Sequence, residues 1–178
     1  SLLGAHQLQN GCTALLTIEA LRGKGWKISD EAVLEGFRTA VWPGRFECVS
    51  QKPTVIIDGG HNQQCAEAIA DALNEYFPGK KCSFLIGVMA DKNFKGIFDA
   101  LLPLAEKVYA VTPDSPRALK APRLCEKLEE EYGYTAAKPF DRLEDAVKEL
   151  FKMAKEEDLI CICGSLYMVG DVKDLLKK

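Results

Sequence analysis

Residues 54–62 read Thr-Val-Ile-Ile-Asp-Gly-Gly-His-Asn, so an apolar β-branched run ends in an acid, two glycines, a titratable imidazole and an amide. Ala66, Ile69, Ala70, Leu73, Tyr76 and Phe77 then recur at helical spacing. The pattern predicts a buried strand, a tight turn and an amphipathic helix. In open α/β folds ligands sit at such a turn, because free N–H groups and the positive helix end point outward there. Glycine lets the backbone take positive φ or approach a ligand closely. The same letters also suit a plain βα turn, with Gly for geometry and Asp58 or Asn62 as a helix cap. Three further polar clusters follow apolar runs: Met89-Ala90-Asp91-Lys92-Asn93, Thr112-Pro113-Asp114-Ser115-Pro116-Arg117 and Gly164-Ser165-Leu166-Tyr167.

The elements that must position these residues alternate regularly. Apolar runs at 54–57, 83–87, 107–112 and 159–163 read as strands, with a short one near 135–137 and an edge strand at 46–49. Helical patterns follow them, carrying Phe94, Ile97, Phe98 and Leu101, then Leu124 and Leu128, then Leu143, Ala146, Val147, Leu150 and Met153, and last a helix toward Leu176. This alternation predicts an α/β fold: a mainly parallel, Rossmann-like sheet with helices on both faces. Every strand-to-helix loop of a parallel sheet leaves by the same edge. Asp58, His61, Lys92, Arg117 and Ser165 should therefore gather on one rim, and such convergence of polar groups marks a binding site.

The opening segment differs. Leu8, Cys12, Leu15, Leu16, Ile18 and Leu21 cover most of the circumference of a helix that Gly23-Lys24-Gly25 ends. A helix apolar on most sides is expected to be buried, here as a piece of another domain's core. A second helix starts at Ser29, carries Val33, Leu34 and Phe37, and stops before Trp42-Pro43-Gly44. The length of 178 residues suits one ordinary domain plus an appendage. A net charge of -3 argues against a nucleic-acid partner. No apolar run approaches a membrane span. Seven cysteines without CxxC spacing read as reduced, structural and cytoplasmic, with Cys161 and Cys163 on the same side of a buried strand.

Taken together, five motifs resemble the folylpolyglutamate synthase/dihydrofolate synthase family of the Mur ligase group. They are His6-Gln7-Leu8-Gln9-Asn10, Trp42-Pro43-Gly44-Arg45-Phe46-Glu47, Asp58-Gly59-Gly60-His61-Asn62, Asp91-Lys92-Asn93 and Gly164-Ser165-Leu166-Tyr167-Met168-Val169-Gly170. The resemblance covers nearly the whole chain, in order. It divides the chain into residues 1–44, the tail of an N-terminal ATPase domain with linker helices, and residues 45–178, a C-terminal glutamate-ligase domain. The implied reaction joins a folate or dihydropteroate carboxylate to the amino group of L-glutamate through an acyl phosphate, using ATP and Mg2+. The partner implied is the chain's own ATPase domain, in a monomeric, cytoplasmic parent enzyme. No G-x-x-x-x-G-K-[ST] loop occurs here; that loop and the magnesium ligands are expected in the ATPase domain, so this chain alone should not turn over.

Residue roles follow from the same resemblance. Asn10, Arg45 and Asp58 match ATP-contacting positions: an amide on the nucleotide, a guanidinium fork for phosphates and a carboxylate for ribose hydroxyls. His61, Lys92 and Ser165 match the glutamate side. His61 would bond a substrate carboxylate, orient the amine or act as general base; Lys92 would pair with glutamate's carboxylates. Gln7 is a weaker match, Arg117 shares the rim without a matched role, and Tyr167 reads as packing. Two positions depart from the family pattern: Gly60 replaces its usual Ala, and Gln63 its usual Pro, changes expected to loosen the turn. Two other readings stay open. Asp58 and His61 could be metal ligands of a hydrolase, with Asp91 and Asp114 available, or the chain could be a non-catalytic nucleotide-binding module of Rossmann type.

Overall fold

Alternating apolar runs and amphipathic helices leave a sheet no option but burial on both faces, and the chain folds accordingly. The computed structural model describes residues 2–176. Helices α1 (His6–Gly23) and α2 (Asp30–Thr39) come first, followed by β1 (Glu47–Gln51), β2 (Thr54–Ile57), α3 (Gln63–Tyr76), β3 (Cys82–Ile86) and α4 (Phe94–Leu101). Strand β4 (Ala105–Val111), α5 (Ala121–Tyr132), β5 (Ala137–Phe140), α6 (Leu143–Met153), β6 (Leu159–Cys163) and α7 (Leu166–Leu176) complete the domain. The sheet order is β1-β2-β6-β3-β4-β5. Only β1 runs antiparallel to its neighbour; the remaining pairs are parallel.

Strand alternation divides the core in two. Ile56, Phe84, Ile86, Cys161 and Cys163 point to one face, where Ile69 and Leu73 of α3, Ile97 and Phe98 of α4, and Leu124 and Leu128 of α5 cover them. Val55, Ile57, Leu85, Ile160 and Ile162 point to the other, under Val147 and Leu150 of α6 and Met168 and Val172 of α7. Each central strand is apolar along its length because both faces are covered. Cys161 and Cys163 do share a side, as their i, i+2 spacing requires.

One sequence expectation needs correction. The short strand lies at Ala137–Phe140 rather than 135–137. It pairs with β4 from Val108↔Ala137 to Val111↔Phe140, and its edge position tolerates Pro139, whose missing N–H is not needed there. Helix α1 forms as expected but contains no buried residue; Leu8 is 75% exposed and Leu16 71%. Its apolar side chains are only partly covered, with Ile18 and Leu21 half-buried and Phe37 of α2 beside Gly11. Arg22 instead fastens the end of α1 to the next segment, donating to the Ile28 carbonyl at 2.9 Å and pairing with Asp30 at 2.7 Å.

Candidate functional site

Because β2, β6, β3 and β4 are parallel and adjacent in that order, the loops leaving their C-terminal ends lie side by side. Backbone hydrogen bonds weld them together. The Gly164 N–H donates to the Gly60 carbonyl at 2.8 Å, joining the loops after β6 and β2. The Ala90 N–H donates to Arg117 O at 2.7 Å and Leu119 N–H to Val88 O at 2.9 Å, joining those after β3 and β4. Close approach demands glycine at one point above all. Gly164 has φ of 98°, and a Cβ there would lie 2.4 Å from the Gly87 carbonyl oxygen.

At one end of this rim is a cavity of about 370 Å³ bounded by His6, Gln7, Asn10, Arg45, Phe46, Asp58, Gln64, Cys65, Ala68 and Ile69. It brings together Asn10, Arg45 and Asp58 from three distant stretches of sequence. Asp58 is 5% exposed. Its Oδ1 accepts from the Gly60 N–H at 2.6 Å and its Oδ2 from the Phe46 N–H at 2.8 Å. Burial pushes the Asp58 carboxyl above its ordinary range, against the pull of those two N–H groups and of nearby Arg45 and His6. Asp58 thus clips the linker to the βα turn and holds Phe46 at φ of 41°, in the left-handed region. Behind it, Glu47 accepts from the Gly44 N–H at 2.7 Å and from Lys173 at 2.7 and 2.9 Å, so the segment carrying Arg45 is anchored on both sides.

His6, named in the opening motif without a role, completes this wall. Its Nε2 lies 3.0 Å from Gln7 Nε2, and Gln7 Oε1 accepts from Asn10 Nδ2 at 2.9 Å. The spacing of His6 and Asn10, four apart on one helix, was the available signal. Phe46 stood in the sequence only as one letter of the Trp42–Glu47 motif, and Gln64 and Cys65 carried no signal: a polar helix position and a lone thiol reach the cavity only through the fold.

His61, Ser165 and Lys92 do not line that cavity; they stand further along the rim. His61 follows β2, Ser165 follows β6 and Lys92 follows β3, so Ser165 lies on the middle of three neighbouring loops. His61 Nδ1 is 3.1 Å from the Gly59 carbonyl oxygen, and His61 shares a small void with Gly164. Ser165 is 2% exposed, and its hydroxyl accepts from the Tyr167 N–H at 3.3 Å at the start of α7. Lys92 is half-buried; its N–H donates to the Met89 carbonyl at 3.2 Å, and its side chain has no hydrogen-bond or ion-pair partner among the described residues. Arg117 pairs with Asp91 at 3.5 Å. Tyr167 does not pack as expected; it is 64% exposed because α7 turns that face outward.

The two departures from the family pattern do not loosen the turn. A Cβ on Gly60 would sit 2.7 Å from Cys65 Cβ and 2.8 Å from Asp58 Oδ1, so the backbone there is tightly packed. Gln63 bonds across to the next loop, its Oε1 accepting from Asn93 Nδ2 at 2.8 Å. Asn62 and Asn93 cap α3 and α4 through Cys65 N–H and Gly96 N–H.

The sequence profile described as "Mur ligase, glutamate ligase domain" matches residues 44–166. The chain belongs to the Mur ligase family. It is 31% identical over 178 residues to a dihydrofolate synthase/folylpolyglutamate synthase of Bacillus subtilis, covering 99% of this chain and 40% of that one. Its fold superposes on Mycobacterium tuberculosis folylpolyglutamate synthase complexed with ADP with a TM-score of 0.88 and 30% identity, covering 99% of this chain and 41% of that one. A bifunctional folylpolyglutamate synthase/dihydrofolate synthase with Mn, AMPPNP and L-glutamate bound gives a TM-score of 0.78 at 27% identity, with 90% of this chain and 38% of that one covered. The chain therefore spans about two fifths of the length of these relatives. Neither other sequence reading gains support. No cluster of three or more His, Cys, Asp or Glu suited to a metal occurs among the described residues.

Proposed function

We propose that this chain is the glutamate-ligase half of an ATP-dependent enzyme that joins a folate or dihydropteroate carboxylate to L-glutamate. The observation that carries the reading is the division of the rim into two polar centres. One is a walled cavity of about 370 Å³ bearing Asn10, Arg45 and Asp58; the other is a line of His61, Ser165 and Lys92 beside it. Relatives solved with ADP, and with AMPPNP and L-glutamate together, support a nucleotide and a glutamate as ligands; the side-chain chemistry of the two centres assigns the first to nucleotide and the second to glutamate.

Arg45, held by the Asp58 clip and the Glu47–Lys173 pair, presents a planar cation to phosphate oxygens. Asp58 retains a second lone pair on each oxygen and so can still accept a ribose hydroxyl. Asn10 supplies an amide to the nucleotide. Lys92, with no competing partner, is free to neutralise a glutamate carboxylate. His61 stands on the loop next to Ser165, where it orients the incoming amine or takes its proton as the amine attacks the acyl phosphate. Phosphoryl transfer from ATP supplies that activated acyl group. In this proposal the Mg2+ ligands belong to the ATPase domain.

Residues 1–44 form the tail of that ATPase domain and the linker, and residues 45–178 the ligase domain. The exposed Leu8, Leu16, Leu34 and Trp42 support docking of the ATPase domain there. Seven free cysteines support a reducing, cytoplasmic setting. The test is ADP release and amide formation by the full-length protein with ATP, a folate-type acid and L-glutamate. ADP release that requires both acceptor and donor supports the proposal; release indifferent to L-glutamate overturns it.

A further inference from the structure

We propose that Gln63 is a positioning residue that sets the separation of His61 and Lys92, and so tunes the affinity for L-glutamate. The inference rests on the glutamate reading above. His61 and Lys92 sit on loops after β2 and β3, two strands that do not touch because β6 lies between them. Backbone bonds tie the β2 loop to the β6 loop at Gly60 and Gly164, but a side chain bridges the two outer loops directly. Gln63 Oε1 accepts from Asn93 Nδ2 at 2.8 Å, two residues beyond His61 and one beyond Lys92.

The bridge is built into its surroundings. Gln63 Nε2 donates to Glu67 Oε1 at 2.8 Å, which fixes the amide's orientation and leaves its oxygen for Asn93. Asn93 uses its own oxygen to cap α4 at Gly96 N–H, at 3.1 Å, so its amino group points back toward Gln63. Gly96 makes room: a Cβ there would lie 2.3 Å from Gln63 Oε1 and 2.7 Å from Asn93 Nδ2. Three side chains and one missing Cβ thus converge on a single hydrogen bond between the first turns of α3 and α4. Glutamate bound across the rim needs both loops at once, so loss of the bridge weakens its binding without touching the nucleotide cavity.

Two substitutions break the bond while sparing the helices. Gln63→Pro places proline at the first helical position, where its fixed φ is favourable. The preceding Asn62 already has φ -140° and ψ 173°, an extended conformation that suits a following proline. Asn93→Ser keeps a capping oxygen for Gly96 and removes the amino donor. In steady-state assays of the full-length protein, each should raise KM for L-glutamate about five-fold, the equivalent of about 1 kcal/mol for one hydrogen bond. KM for ATP and kcat should stay at wild-type values, the unfolding midpoint should fall by no more than one hydrogen bond's worth, and the double variant should be no worse than either single one. Unchanged glutamate KM in both variants, multiplicative losses in the double variant, or an equal rise in the ATP KM would each overturn the inference while leaving the glutamate reading intact. A wild-type enzyme whose ADP release ignores L-glutamate would overturn the reading itself, and this inference with it.

Discussion

Replacing Gly164 by alanine tests whether the rim is as closely joined as the geometry requires. Gly164 has φ of 98°, outside the region that L side chains ordinarily adopt, and a residue with a Cβ there costs about 1–3 kcal/mol in backbone strain. The added Cβ also meets the Gly87 carbonyl oxygen at 2.4 Å and Ile86 Cγ1 at 2.8 Å. Neither neighbour yields easily, because Ile86 is paired in register with Cys163 in the centre of the sheet. Overpacking of this kind adds about 1–3 kcal/mol. The total, about 2–6 kcal/mol, is a large fraction of the roughly 5–15 kcal/mol that holds an ordinary domain together. Gly170 is the internal control: it lies exposed in α7, and a methyl group added there would meet nothing within 4 Å, so Gly170→Ala should stabilise by about 0.5–1 kcal/mol. Urea unfolding of this chain followed by circular dichroism, with unchanged m-values, reads both effects. A Gly164→Ala midpoint equal to or above wild type would refute the argument, as would both substitutions moving the midpoint in the same direction.

Lys92→Ala should raise KM for L-glutamate on the order of 10–100-fold, the range of a lost charged hydrogen bond, with no change in unfolding midpoint because Lys92 has no partner to leave behind. Burial raises the Glu47 carboxyl, but Lys173 and the Gly44 N–H outweigh it and hold it below the ordinary value of 4.5. Its stabilisation is therefore full above that value and fades as pH falls through the lower, folded one. Lys173→Met should cost about 1 kcal/mol near neutral pH and progressively less once Glu47 is protonated, as urea unfolding across the acid range would show. On α1, Leu16→Glu should leave this chain's stability within about 0.5 kcal/mol in urea unfolding, because Leu16 is exposed there. The same change should destabilise the full-length protein by more than that if α1 docks on the ATPase domain.

The sequence made the sheet legible because its central strands are covered on both faces, which leaves unbroken apolar runs such as 54–57 and 159–163. The rim followed from direction alone: parallel strands send Asp58, Lys92, Arg117 and Ser165 to one edge whatever the details. Helix α1 was legible as a helix but not in its environment, since periodicity reports an apolar face and says nothing of what covers it. The Asp58 clip was hidden for a different reason. Its partner is the Phe46 N–H, a backbone group twelve residues earlier that no side-chain pattern reveals. Gly60 and Gln63 misled for the same reason. Read locally they loosen a turn, whereas in the fold one is packed against Cys65 and the other bonds to a loop thirty residues away.

A crystal structure of the full-length protein with L-glutamate and a non-hydrolysable ATP analogue would test the division of the rim most directly. The geometry predicts glutamate carboxylates against Lys92 and near His61 and Ser165, with the nucleotide in the cavity bounded by His6, Asn10, Arg45 and Asp58. Glutamate seated inside that cavity, or on a face of the domain remote from Lys92, would contradict it.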